Sequence, residues 1–285
     1  MVFKGSRDSK ILISVNVRAL TLLSCLLVLV TACSAPKPLM LMPSPVIYRD
    51  GLVDPFAHLL PARQIPSLPI FYATNRSPEI RGDGLSYGNG ITQGLHLGQA
   101  VVQIGDTQTQ WGDLYEASIS DQTGLLLPIA LESLSEQARI PVSVDSAPDV
   151  LSEEAQRYFA DINAELAEVE DREILVYVHG TKVDFLNSAA LTAEIDHFSG
   201  RDYIGLAFAW PSHQSIFNYL IREDVHRAQD SSDALATLLE LLARHTDAER
   251  INILAYSAGA RVTSKALDQL RTRYAEQTSY QLQQS

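Results

Sequence analysis

Two hydrophobic patterns alternate along the second half of the chain. Three continuous apolar runs predict buried strands of a parallel sheet, because such strands have apolar neighbours on both faces. They cover residues 173–180, 203–210 and 251–255. Helical spacing follows each run, at 184–198, at 218–244 as one long helix or two short ones, and at 261–271. This order predicts an α/β fold, a parallel sheet with helices on both faces.

The first half carries weaker patterns. Short apolar stretches at 70–73 and 99–105 predict antiparallel N-terminal strands, and 114–118 is a candidate third strand. The glycine-rich segment 82–90 between the first two predicts a long loop, with a ligand cradle as the alternative. Apolar residues at helical spacing predict a helix within 151–169.

The N-terminus has the composition of a bacterial secretion signal. Its basic residues are Lys4, Arg7, Lys10 and Arg18. The apolar run 20–30 is shorter than the ~20 residues of a spanning helix and fits the roughly 7–15 residues of a signal peptide. The sequence Val30-Thr-Ala-Cys33 resembles a lipobox, in which Cys33 is lipidated and becomes the new N-terminus.

These features predict a lipoprotein of the bacterial cell envelope. Ser34 follows the cysteine, and the absence of Asp there resembles the sorting pattern of outer-membrane lipoproteins that face the periplasm. Two or three acyl chains, such as palmitate, would anchor the protein stably. An uncleaved anchor and a plain secretory signal are the alternatives. The predicted organisation is a signal peptide (1–32), a proline-rich tether (33–67) and a folded domain (68–285).

Composition limits the partners. The net charge is −12, and removal of residues 1–32, with four basic residues and one acidic residue, would make it −15. Nucleic-acid binding needs a basic face, so we expect no nucleic-acid partner and attachment to the membrane through lipid alone. Cys25 lies in the signal segment, which leaves no free thiol. The sequence has no phosphate-binding glycine loop and no paired-histidine zinc motif, so we expect neither cofactor nor metal.

A candidate catalytic turn follows the last apolar run. Ala255-Tyr-Ser-Ala-Gly259 places Ser257 between a predicted strand and a predicted helix. A nucleophile elbow needs small residues two positions before and after its serine, because the helix folds back against the strand, and Ala255 and Gly259 meet this need. The pattern predicts a serine hydrolase of the α/β-hydrolase type with Ser257 as nucleophile. An ordinary helix N-cap serine is the alternative.

The run 173–180 ends in a second motif, His179-Gly180. In an α/β hydrolase, the loop after this strand supplies one backbone N–H of the oxyanion hole, and the residue after the nucleophile supplies the other. The predicted donors are Thr181 and Ala258. Gly180 lets the backbone approach the substrate oxygen closely. We expect His179 to orient this loop.

Four separated motifs carry a family resemblance over about residues 66–271. They are Ile70-Phe-Tyr-Ala-Thr-Asn-Arg76, Tyr177-Val-His-Gly180, Ala207-Phe-Ala-Trp-Pro-Ser212 and Leu254-Ala-Tyr-Ser-Ala-Gly-Ala-Arg261. In order and spacing the chain resembles the bacterial α/β-hydrolase lipoproteins formerly classed as a domain of unknown function. The resemblance implies a hydrolase that uses a serine, a histidine and an acid, with a small N-terminal strand region.

The chain departs from that family at several positions. The family commonly has His-Ser-Met-Gly at the elbow, where this chain has Tyr256 and Ala258, and often a bulky residue and Asn at positions 181–182. Neither change removes a backbone N–H. In this fold the acid and the histidine follow the serine, yet the 28 residues after Ser257 contain Asp268 and Glu276 and no histidine. We therefore expect a partial α/β-hydrolase domain whose C-terminal strands are missing.

The upstream histidines do not replace the missing base. His197 and His245 are late in predicted helices, and His58 and His96 have no metal-type spacing. His213 and His226 follow Trp210 and face either the cleft or a packed or solvated surface. Trp210 itself lines a ligand pocket or packs in the core.

The sequence favours a lipid-anchored serine hydrolase that acts on a small-molecule carboxylic ester and is incomplete as a catalyst, because a serine without a base is a poor nucleophile. A non-catalytic envelope lipoprotein that uses the fold as a scaffold is the alternative. A peptidase on the same fold is a third reading.

Overall fold

A seven-stranded mixed sheet forms the centre of the molecule. The computed structural model describes residues 39–82, 84–120, 126–212 and 223–284, with backbone alone for 223–226 and 276–284. The strands are β1 (Leu39–Met40), β2 (Ser67–Arg81), β3 (Gly84–Ile104), β4 (Pro128–Pro141), β5 (Glu173–Val178), β6 (Tyr203–Phe208) and β7 (Arg250–Ala255). The signal segment, Cys33 and the start of the tether lie outside the described residues.

The strand order is β1-β4-β3-β2-β6-β5-β7. Strands β2, β6, β5 and β7 pair in parallel, with Ala73, Phe208, Val178 and Ala255 in register at their carboxyl ends. The other strands pair antiparallel beside β2. Among the described residues, β7 pairs on one side only, with β5. The predicted α/β class and the antiparallel N-terminal region are confirmed.

The strands are covered by helices on both faces. The helices are α1 (Val46–Arg49), α2 (Trp111–Ile119), α3 (Glu153–Leu166), α4 (Phe185–Phe198), α5 (Glu223–His245) and α6 (Ala258–Gln284). One apolar cluster joins the sheet to α3, α5 and α6, and a second joins it to α2 and α4. Successive residues of β2, such as Phe71 and Tyr72, belong to opposite clusters, because side chains alternate between the two faces of a strand.

Side-chain caps set the starts of two of these helices. Ser152 accepts a hydrogen bond from the Ala155 N–H at the start of α3, and Asp184 accepts one from the Asn187 N–H at the start of α4. Such caps satisfy N–H groups that have no partner within the helix. The cap of α4 also fixes the loop that follows β5.

The first half of the chain differs from its sequence prediction in two ways. Residues 114–118 lie in α2, so the predicted third strand is wrong; the third antiparallel strand is β4. The glycine-rich segment does not form a long loop, because its residues continue β2 and β3 into a hairpin in which Arg81 pairs with Gly84. Both strands are consequently much longer than predicted.

The proline-rich stretch before β2 contacts the folded domain. The Met42 N–H donates to Glu194 Oε1 over 2.7 Å, and the Tyr48 hydroxyl donates to the Phe198 carbonyl. The Phe56 ring packs against Trp111 and His197. Among the described residues of this stretch, Leu39 also joins the sheet, where β1 pairs with β4. In the described part of the chain, no helix is both long and apolar enough to cross a membrane.

Candidate functional site

Ser257 lies in the tight turn between β7 and α6. Its φ is +51°, a left-handed conformation that is strained for a residue with a Cβ, and its side chain is exposed. The turn is fixed by hydrogen bonds from the Tyr256 N–H to the Val178 carbonyl (3.0 Å) and from the Gly259 N–H to the Tyr256 carbonyl (2.9 Å). The backbone thus holds the hydroxyl above the carboxyl edge of the parallel strands.

Gly259 is required by the return of the helix against the sheet. A Cβ at this position would lie 2.3 Å from the carbonyl oxygen of Val178 and 2.6 Å from that of His179. Both contacts are to backbone atoms that cannot move aside. Ala255, on the other side of Ser257, is half-buried and packs against the apolar cluster beneath α6. The strand–turn–helix arrangement therefore explains both small residues.

The His179–Thr181 corner adjoins this turn. A Cβ placed on Gly180 would lie 3.3 Å from the Cβ of Ser257 and 3.1 Å from a ring carbon of Tyr256. Among the described residues, neither the Thr181 N–H nor the Ala258 N–H donates a hydrogen bond. Two free donors thus flank an exposed serine, which is the composition of an oxyanion hole.

His179 is held inside the protein rather than presented to Ser257. Its ring stacks on Trp210 with centroids 5.5 Å apart, and Nδ1 lies 2.7 Å from the Gly180 carbonyl, so Nδ1 carries the proton and donates. Burial, with the nearby charge of Arg76, lowers the pKa of His179 to about 3. A neutral, fully buried imidazole fits a role in shaping the corner.

Trp210 completes this arrangement from the end of β6. Its side chain is fully buried, and its Nε1–H donates to the His179 carbonyl over 2.7 Å. Of the two alternatives for this residue, core packing is the one observed. Its indole fixes the backbone that leads into Gly180 and Thr181.

Arg76 organises the loops around the carboxyl edge. Its buried guanidinium donates to the carbonyls of Val183 (2.6 Å), Ala209 (3.2 Å) and Gly88 (3.2 Å) and to Asn89 Oδ1. Burial lowers its pKa to about 10, with Asp184 opposing the shift, so the group remains a cation at neutral pH. The oxyanion corner, the end of β6 and the hairpin are all tied to one side chain.

Sequence reasoning named Arg76 only as part of a motif. The available signal was an arginine that follows an apolar strand, in Tyr72-Ala-Thr-Asn-Arg76, where a charged residue would otherwise end the strand. Asn75 beside it is also buried and donates to Ser231 on α5. The function of these two polar residues depends on loops that are distant in sequence, so no local pattern reveals it.

The remaining described histidines have other partners. His96 lies on β3, four strand spacings or about 19 Å from β7. Its Nδ1 lies 3.1 Å from the carboxylate of Glu136. His197 bonds Ser118, and His58 pairs with Asp202. His245 ends α5, before β7 begins, at the opposite edge of the sheet. The structure does not describe the side chains of His213 and His226.

Comparison with known families bears on residues 153–285. These residues match the family model described as "Alpha/beta hydrolase of unknown function (DUF900)". This match supports the α/β-hydrolase superfamily. It covers the elbow, the His179–Thr181 corner and Trp210, and it begins after the Arg76 motif. Searches of curated proteins and of solved structures gave no match.

The described residues form no cluster of three or more His, Cys, Asp or Glu side chains that could hold a metal ion. The carboxyl edge carries the exposed hydroxyl of Ser257 beside the backbone N–H groups of Thr181 and Ala258. An electrophilic carbonyl whose oxygen accepts those two N–H groups is the substrate atom that suits this arrangement.

Proposed function

We propose that the chain is a lipid-anchored serine hydrolase for carboxylic esters, with Ser257 as nucleophile. The observation that carries the proposal is the strained, exposed Ser257 between β7 and α6, beside the unengaged amides of Thr181 and Ala258. An elbow that stores backbone strain is expected where a hydroxyl must be held in one position for reaction.

In the proposed reaction, Ser257 Oγ attacks the ester carbonyl carbon, and the carbonyl oxygen becomes an oxyanion. The amides of Thr181 and Ala258 donate to that oxygen, the alcohol departs, and water hydrolyses the acyl-enzyme. The proton of Ser257 needs a base. None of the described histidine side chains contacts Ser257, and His179 is already engaged with the Gly180 carbonyl.

A fluorophosphonate probe tests the nucleophile directly. The full chain should be labelled, Ser257→Ala should not, and Ser264→Ala should be labelled like the unmodified chain, because Ser264 is an exposed serine on the same helix. Unchanged labelling in Ser257→Ala would show that another residue reacts. No labelling of the unmodified chain above a heat-denatured control would refute the proposed hydrolase.

The same probe tests whether any upstream histidine acts as a base for Ser257. His213→Gln, His226→Gln and His179→Gln should be compared for the rate of labelling, with His58→Gln as a control on the opposite edge of the sheet. A slower rate in one of the first two, with an unchanged melting temperature, would assign the base to the segment after Trp210. Loss of general base catalysis typically costs about 10²–10⁴ in rate.

A non-catalytic scaffold protein is the second candidate. It is favoured by the absence of a contact between Ser257 and any described histidine side chain. A scaffold predicts no probe labelling under any condition, together with retained folding of Ser257→Ala. A peptidase would share the labelling pattern of an esterase, and paired ester and amide substrates would separate the two.

The lipid anchor is a separate proposal. We infer attachment to the bacterial envelope through acylated Cys33, facing the periplasm, from the lipobox-like Val30-Thr-Ala-Cys33. Cells fed labelled palmitate should incorporate it into the chain and into Cys25→Ser, but not into Cys33→Ser. Equal incorporation into Cys33→Ser would refute the anchor site.

A further inference from the structure

A cavity of about 290 Å³ opens on the side of the sheet away from Ser257. Its walls come from residues 60–69, the last turn of α3 and the end of α4. The six residues of β6 separate this edge from the carboxyl edge by about 20 Å, at roughly 3.3 Å per residue. The cavity is therefore distinct from the site around Ser257.

Asp196 provides a buried carboxyl group in the wall, and burial raises its pKa to about 7. Its side chain is 4% exposed, and its Oδ1 accepts no hydrogen bond from any described residue. The nearby Arg201 does not pair with it, because the Arg201 guanidinium donates to the carbonyls of Arg63 and Ile65 and to His197. A buried carboxylate without a charged donor is costly, so a donor from a ligand would be bound favourably.

Arg63 provides an unpaired positive group in the same wall. Its side chain is half-buried, and its guanidinium forms no hydrogen bond and no ion pair with any described residue. Arg63 lies close enough to Asp196 to influence it electrostatically, although the two do not approach within the 4.0 Å of an ion pair. Asp196 and Arg63 thus face the cavity with a gap between them, and Glu165, Glu168 and the internally bonded Arg201 complete its ionisable lining.

Apolar side chains form another part of the lining. Leu60 and Ile65 are exposed apolar residues at its mouth, and Leu68 is a buried one at its wall. The volume is near the lower limit of about 300–1,000 Å³ for small-molecule sites, so it suits a ligand of amino-acid size. A ligand with an apolar side chain and with both charged groups at one end would match the lining.

We propose that this cavity binds a zwitterionic small molecule of the α-amino-acid type with an apolar side chain. Its ammonium group donates to the Asp196 carboxylate, and its carboxylate accepts from the Arg63 guanidinium in the bidentate manner that suits arginine. Its side chain lies against Leu60, Ile65 and Leu68. A simple amine would leave Arg63 unpaired, and a simple carboxylic acid would leave Asp196 unpaired.

Calorimetric titration of the full chain with L-leucine, L-methionine and L-phenylalanine tests the proposal. At least one should bind with a Kd of about 1 mM or tighter. Two leucine fragments separate the charges: 3-methylbutylamine lacks the carboxylate, and 4-methylpentanoate lacks the amine. Each should bind at least about tenfold more weakly than leucine.

Two variants tie the binding to the two charged residues. Arg63→Gln and Asp196→Asn should each weaken binding by at least about tenfold, and Arg81→Gln, at the exposed tip of the hairpin, should leave it unchanged. Arg63→Gln breaks no side-chain hydrogen bond or ion pair among the described residues, so it should fold even if Asp196→Asn does not; circular dichroism checks both. Three results would each overturn the proposal. They are no binding of any of the three amino acids, binding of 3-methylbutylamine as tight as that of leucine, and unchanged leucine binding by Arg63→Gln.

Discussion

The indole of Trp210 and the imidazole of His179 form a stacked pair at the carboxyl edge of the sheet. Their planes are 9° apart, and the Trp210 Nε1–H donates to the backbone carbonyl of His179. The pair joins the end of β6 to the end of β5. It therefore fixes the backbone corner beside Ser257 without placing either ring on the reacting group.

Burial of His179 predicts a loss of stability in acid. Its pKa is about 3 in the folded chain and about 6.5 when unfolded. Below pH 6.5 the unfolded chain binds a proton at His179 that the folded chain does not, so the contribution of His179 to the free energy of unfolding should decrease by up to a few kcal/mol as the pH falls towards 3. The buried Glu194 and Asp196, whose pKa values burial raises to about 7, contribute with the opposite sign. Urea denaturation at a series of pH values should show a shallower decrease in His179→Gln.

His58→Gln is the control for that measurement, because His58 is about half exposed and distant from the corner. It should retain the slope of the unmodified chain. The slope is the relevant quantity, since His179→Gln also removes the stacking on Trp210 and lowers stability at every pH. The same slope in His179→Gln and in the unmodified chain would contradict the assignment.

The conformation of Ser257 predicts that glycine at this position stabilises the fold. A positive φ costs a residue with a Cβ roughly 1–2 kcal/mol, so Ser257→Gly should raise the free energy of unfolding by about 1 kcal/mol while abolishing probe labelling. Ser264→Gly, in the regular part of α6, should instead lower it by about 0.5 kcal/mol. A destabilised Ser257→Gly would show that the turn is not strained.

The close approach of α6 to β5 predicts that Gly259→Ala is destabilising. The added Cβ would collide with the carbonyls of Val178 and His179, and the shift of the helix should cost about 1–3 kcal/mol. Gly112→Ala is the matched control, because a Cβ at this position in α2 meets nothing within 4 Å. That change should stabilise by up to about 1 kcal/mol. Thermal unfolding measures both.

The contacts of Arg76 predict that Arg76→Met is severely destabilising. It would remove the guanidinium donor from the carbonyls of Val183, Ala209 and Gly88, at a cost of several kcal/mol. Val183 would keep a hydrogen bond from Ser212, and Ala209 one from Thr74. Arg76→Lys should recover only part of the loss, since an ammonium cannot reproduce the planar fork. Arg81→Met, on an exposed side chain, should change the free energy of unfolding by less than about 0.5 kcal/mol. Equal effects of Arg76→Met and Arg81→Met would contradict this role.

The parallel part of the sheet was readable from sequence because its strands are buried on both faces. The apolar run 251–255 matches β7 within one residue, the run 173–180 begins with β5 and extends two residues beyond it, and the helix predicted at 184–198 matches α4 within one residue. The Leu114–Ser118 stretch was misread as a strand because five residues with two apolar positions fit either period. Tertiary packing of Leu114 against the second apolar cluster accompanies the helical conformation.

The hairpin of β2 and β3 shows why the glycine content of residues 82–90 led to the wrong prediction of a long loop. Glycines at 84, 88 and 90 suggested a loop, but cross-strand partners decide strand pairing. The Tyr72 and Tyr87 hydroxyls lie 3.1 Å apart, and Tyr87 donates to Glu136 on β4. These contacts join residues from three strands, so no window of the sequence contains them.

By itself, the sequence determined the α/β order of elements and the turn at Ser257, because apolar runs and small flanking residues are local consequences of burial and close packing. Only the tertiary structure decided that His179 is locked against Trp210, that Arg76 ties three loops together, and that Arg63 and Asp196 share a cavity. Each of these arrangements brings together charged or polar groups from segments that are distant in sequence. Their stability depends on burial and on the hydrogen-bond partners that the fold supplies.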